Sequence, residues 1–69
     1  MVFLNLYTGE WLDRVDTNTA ACVDEAVTKA QRAFDSGFFK QAQIRDMDGV
    51  LLVDMDASGG YTDLTAQQD

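Results

Sequence analysis

The sequence predicts an α+β domain of order ββαββ: two β-hairpins forming one antiparallel sheet, with a single helix packed on one face. Three observations carry that expectation. β-forming residues flank Thr8-Gly9, one apolar stripe of helical period runs from Val23 to Phe34, and Asp48-Gly49 separates two alternating stretches.

The first hairpin is read from Val2-Phe3-Leu4-Asn5-Leu6-Tyr7, a break at Thr8-Gly9, and a second run Glu10-Trp11-Leu12-Asp13-Arg14-Val15. A two-residue loop pairs Leu6 with Trp11 and gathers Val2, Leu4, Leu6, Trp11 and Val15 on one face. A three-residue loop with Gly9 in the left-handed region pairs Leu4 with Leu12 instead, so one residue of slip decides which of Trp11 and Leu12 is buried. The apolar count favours the first register, although Thr8 is ill suited to the positive φ of its turn.

Asp16-Thr17-Asn18-Thr19 reads as a cluster of turn and capping residues. After it, Val23, Ala26, Val27, Ala30, Ala33 and Phe34 fall on one helical stripe. Asp24 and Glu25 near the helix start suit its dipole, Glu25 to Lys29 is the favourable i,i+4 orientation, and Gly37 is a natural stop. The alanines allow the helix to approach a sheet closely. Cys22, just ahead of the helix, reads as a small buried side chain, because no basic residue stands beside it to depress its pKa.

In the second hairpin, Phe38 to Asp46 alternates with Phe38, Ala42 and Ile44 on one side and Phe39, Gln41, Gln43 and Arg45 on the other; Val50 to Asp56 alternates again. A two-residue Asp48-Gly49 loop sets Ile44 opposite Val53 and Ala42 opposite Met55, with Gln43 facing Asp54 and Gln41 facing Asp56 outside. A three-residue loop would put Ala42 opposite Asp54 and break that agreement, so the pattern decides the register. Ala57-Ser58-Gly59-Gly60 then reads as a flexible break. The expected organisation is one small domain over 1–57 and a flexible acidic tail over 58–69. A chain of 69 residues buries only about 60% of the surface that its unfolded form exposes, which makes oligomerisation a natural source of extra stability.

Charge narrows the function. The net charge is −7, and residues 46–69 hold six acids and no base. Nucleic acid and anionic membranes are bound through Lys and Arg, so neither is an expected partner. A basic protein surface is, because an acidic segment attracts it at long range. Without His and with a single Cys, most nucleophile, general-base and zinc chemistry is missing, and no enzyme activity or cofactor is expected. The unpaired Cys22, the lack of a bilayer-length apolar run and an N-terminus without a basic start and long apolar stretch together suggest a cytoplasmic protein.

Two strings resemble sites of known chemistry. Asp46-Met47-Asp48-Gly49-Val50-Leu51 resembles the nucleophile motif of haloacid-dehalogenase-type phosphatases, which implies a nucleophilic Asp46, an acid/base Asp48 and Mg²⁺. That motif ends a buried parallel strand and works with Ser/Thr, Lys and further acids on later strands, for which this chain has no length left. An Asp-Gly hairpin turn accounts for every residue of it. Asp54-x-Asp56-x-Ser58-Gly59 matches the first half of a calcium loop, yet Thr65 stands where the bidentate Glu belongs and no helix leads in. No metal site is expected there; the string reads as a strand edge running into a linker.

The function expected from these residues is that of a non-catalytic acidic protein-binding domain, an inhibitor that covers a basic, nucleic-acid-binding surface of a larger protein. In size and acidity the chain resembles, as a type, the small inhibitors that phages make against host nucleases and CRISPR effectors. The candidate partner-binding residues are Asp46, Asp48, Asp54 and Asp56 with the aromatics Trp11, Tyr7 and Phe39, since exposed aromatics beside acids form productive contacts. The alternative is a structural subunit that homodimerises through the open sheet face or an edge strand.

Overall fold

Five strands and one helix make up the computed structural model, which describes residues 1–9 and 15–64. In chain order they are β1 (Val2–Tyr7), β2 (Val15–Ala20), α1 (Val23–Asp35), β3 (Gln41–Arg45), β4 (Leu51–Asp56) and β5 (Tyr61–Asp63). The class is α+β as expected: one open sheet of order β2-β1-β3-β4-β5, every neighbouring pair antiparallel, with the helix on one face. The element order is ββαβββ, one strand more than expected. Among the described residues no helix is long and apolar enough to cross a membrane.

The core follows from period-two alternation. Val2, Leu4 and Leu6 of β1, Ala42 and Ile44 of β3, and Val53 and Met55 of β4 point to the helix side and are buried, joined by Ala20, Ala26 and Ala30. Leu4, Ile44 and Val53 are the largest fully buried side chains, and burying each contributes about 1.5–3 kcal/mol. Ala26 and Ala30 are the buried residues of the helix's sheet-facing side, with Val23, Val27, Ala33 and Phe34 flanking them, so the alanine stripe does seat the helix on the sheet.

The helix begins and ends nearly as expected, but its cap differs. The N-cap is Cys22, extended and without a side-chain cap bond, while the Glu25 carboxylate reaches back to accept the Ala21 N–H at 2.9 Å. Cys22 is exposed, not buried, because the capping position lies outside the apolar stripe. At the far end Gly37, with φ +77, donates its N–H to the Phe34 carbonyl and stops the helix.

The first hairpin departs from both expected registers. β2 is Val15–Ala20, so Leu6 faces Asp16 and Leu4 faces Asn18. The polar cluster Asp16-Thr17-Asn18-Thr19, which reads as turn and cap, is itself a strand. β2 is the sheet edge, largely exposed, with only Ala20 buried, and an edge strand needs no apolar alternation. The apolar count therefore points to the wrong partner run for β1. Cross-strand pairing holds the polar one: Thr17 Oγ1 donates to Asn5 Oδ1 at 3.1 Å on the open face. Trp11 and the rest of its expected strand up to Arg14 lie outside the described residues.

The second hairpin keeps its expected partners while changing its turn. Gln41 pairs with Asp56, Ala42 with Met55, Gln43 with Asp54 and Ile44 with Val53. The loop, however, has three residues: Gly49 N–H donates to Asp46 O and Asp46 N–H to Val50 O, with Gly49 at φ +84, where a side chain is strained. An extra residue in β4, Leu52, absorbs the difference as the register shifts between Ile44 and Arg45. Residues 38–40 precede β3, so the expected alternation does not reach them. Phe39 packs against the core and Phe38 is half exposed, the reverse of the sequence reading, and the two rings meet edge to face at 4.9 Å. Tyr61–Asp63 pairs with β4 where a flexible tail was expected; the sheet extends to Asp63.

Candidate functional site

Residues 46–64 fold as one flank of the sheet: the β3–β4 turn, β4, the β4–β5 turn and β5. They carry Asp46, Asp48, Asp54, Asp56 and Asp63 and no Lys or Arg. The charge asymmetry of the sequence thus becomes an asymmetry in space: this flank supplies carboxylates and no base of its own, while Arg45 and Lys40 from the neighbouring β3 segment border its two turns. The nearest preceding base, Arg45, is tied down, donating from Nη1 to Gly49 O at 2.8 Å and from Nη2 to Gln43 Oε1 at 3.2 Å.

The four aspartates singled out in the sequence do not form one cluster. Asp46 and Asp48 lie at the turn end of β4, and Asp56 closes its other end. Asp46 Oδ1 accepts the backbone N–H groups of Asp48 and Val50 at 2.8 and 2.9 Å, so the residue in the position of the phosphatase nucleophile is a turn-capping group. Asp56 Oδ1 does the same for the β4–β5 turn, accepting Ser58 N–H, Ser58 Oγ–H and Gly60 N–H at 3.0, 2.6 and 2.8 Å. Those hydrogen bonds, the Ser58 hydroxyl first, hold the Asp56 carboxyl below its ordinary pKa. Asp54 projects from the open face of β4 between Gln43 and Thr62, and partial burial, with Asp56 nearby, pushes its pKa up. Among the described residues no three His, Cys, Asp or Glu side chains converge as a cation site would require. The calcium-loop spacing is spent on the turn that Asp56 closes.

The face away from the helix is mixed, mostly polar: Asn5 and Tyr7 of β1, Thr17 and Thr19 of β2, Gln41, Gln43 and Arg45 of β3, and Asp54 of β4 alternate outward together with Phe3 and the exposed Val15. Gln43 Oε1 is its hub, accepting from Arg45 and from the Tyr7 hydroxyl at 3.4 Å. Of the expected aromatics, Tyr7 belongs to this face, whereas Phe39 is engaged with the core. Sequence reasoning missed Gln43 and Tyr61. Gln43 was legible only as an outward polar position, and Tyr61 lay in the expected tail. Compared with family models, with curated proteins and with solved structures, the chain matches none.

Proposed function

We propose that this chain is a non-catalytic acidic binding domain that covers a basic, nucleic-acid-binding surface of a larger protein, the role played by the small phage inhibitors that its size and acidity resemble. One observation supports the reading: the stretch 46–64, which has five carboxylates and no base of its own, makes up one flank of the sheet, and its summed negative charge attracts a cation-rich surface at long range. The turn roles of Asp46 and Asp56 support a non-enzymatic use of these residues, since both are occupied by backbone N–H groups.

The test is capture of nucleic-acid-binding proteins from a host lysate on the immobilised chain, with elution by salt and by duplex DNA. Bound partners should leave with rising salt and with DNA competitor, and Asp46, Asp48, Asp54 and Asp56→Asn together should abolish capture while preserving the turns, because Asn offers the same Oδ1 acceptor. Capture that is indifferent to salt and to DNA overturns the reading.

The alternative, a homodimerising structural subunit, draws on the uncovered sheet face and the β2 edge. It is the weaker of the two, because most of the open face is polar, despite Phe3, Tyr7 and Val15 there, and the Lys29 ammonium caps the Thr19 carbonyl on the edge strand at 2.9 Å. Sedimentation that shows a salt-independent dimer would favour it.

A further inference from the structure

One helix cannot cover this sheet. A helix is about 10 Å across, whereas five strands spaced about 4.8 Å apart span about 19 Å. α1 packs chiefly over β1, β3 and β2. Val53 and Met55 on the helix side of β4 are still buried, but among the described residues a cleft of about 250 Å³ lies beyond them, between the last turns of the helix and the β4–β5 hairpin. Gln31, Phe34 and Asp35 form one wall, Tyr61 and the turn closed by Asp56 form the other, and the buried Met55 lies between them.

Three properties of the cleft point to one kind of occupant. Among the described residues, its lining contains Asp35 and Asp56 and no Lys or Arg. The C-terminus of the helix, the negative end of its dipole, opens beside it. Phe34 and a half-exposed Tyr61 supply two aromatic rings. Asp56 is committed to the turn through Oδ1, which makes Asp35 the carboxylate best placed for a ligand. Anionic oxygens beside aromatic faces suit a planar cation that stacks and donates at once, which is the chemistry of a guanidinium. The volume falls just below the roughly 300–1,000 Å³ of small-molecule sites, so it suits one side chain better than a metabolite.

We infer that this cleft receives an arginine side chain from the basic partner. The inference rests on the acidic-edge reading above and deepens it: the edge attracts the partner, and the cleft between Asp35 and Tyr61 selects arginine at the contact.

The experiment titrates oligo-arginine and oligo-lysine peptides into the isotope-labelled full chain at low salt and follows its amide resonances. Shifts should centre on Gln31 to Ser36 and Met55 to Tyr61, and arginine should bind more tightly than lysine. Tyr61→Thr and, independently, Asp35→Asn should each weaken arginine binding about tenfold. Asp35 is exposed at a helix end, so Asp35→Asn keeps the fold even if Tyr61→Thr loosens β5. Shifts spread along Asp46 to Asp54 that neither variant alters would overturn the cleft while leaving the acidic edge standing. No shift with either peptide would overturn both.

Discussion

Asp56 Oδ1 accepts the Gly60 N–H at 2.8 Å, and the Gly60 Cα lies so close to the same carboxylate that a Cβ there would collide with it. Asp56 N–H in turn donates to Gly60 O at 3.1 Å, so these two residues close the β4–β5 turn from both main chain and side chain. The short strand β5, and with it the Tyr61 wall of the cleft, depends on that closure.

Gly60→Ala should therefore destabilise the chain by about 1–3 kcal/mol, because the carboxylate has to leave the turn. Urea denaturation measures this. In an Asp56→Ala background the same substitution should cost less, since its clash partner is gone. Equal costs in the two backgrounds would show that the collision is not the cause.

The neighbouring carboxyls Asp54 and Asp56 should have opposite effects on the pH dependence of stability. The pKa of Asp54 is raised above 3.8, so its contribution is full below that value and is lost as pH rises through its higher folded value. The pKa of Asp56 is lowered, so its contribution is present above 3.8 and is lost as pH falls through its lower folded value. Asp54→Asn should thus raise stability at neutral pH, and Asp56→Ala should lower it there. Carboxyl resonances followed against pH should show Asp54 titrating above Asp56; the reverse order would refute the assignment.

Legibility in the sequence tracked burial. The helix, β1 and the pairing of β3 with β4 were readable because each places apolar side chains in the core at a fixed period: Ala26 and Ala30, Leu4 and Leu6, Ile44 against Val53. The edges were not. β2 holds Asp16 and Asn18 on the side where a buried strand would carry apolar residues, and β5 has only three residues after two glycines. Edge strands meet water, so hydrophobic pattern does not specify them; main-chain pairing and turn chemistry do. The same limit explains the site. The acidic run was evident in the composition, but the division of Asp46 and Asp56 between two turns follows from hydrogen bonds that no spacing announces.

Asp46→Ala should cost about 1–2 kcal/mol, the usual scale for losing a side-chain cap that satisfies backbone donors, here those of Asp48 and Val50. Asp46→Asn, which retains the acceptor, should cost much less. Thermal or urea unfolding of the two variants gives the comparison. Were Asn as damaging as Ala, the negative charge and not the turn geometry would be what the chain requires at this position.

Lys29 guards the β2 edge. Its ammonium donates to Thr19 O at 2.9 Å and sits 3.7 Å from Glu25, half exposed in both cases. An exposed pair of this kind contributes about 0.2–1 kcal/mol, so Lys29→Ala should barely alter stability. Its effect should appear in association instead. Removing the charge leaves an edge-strand carbonyl uncapped and brings the net charge from −7 to −8. The added negative charge opposes self-association, so any rise in it on Lys29→Ala has to come from the opened edge. Sedimentation at increasing protein concentration should detect weak dimers in the variant that are absent from the parent, and added salt should strengthen them by screening the repulsion. If the variant stays monomeric at every concentration and salt level, Lys29 is no guard and the polar side chains of β2 suffice to protect the edge.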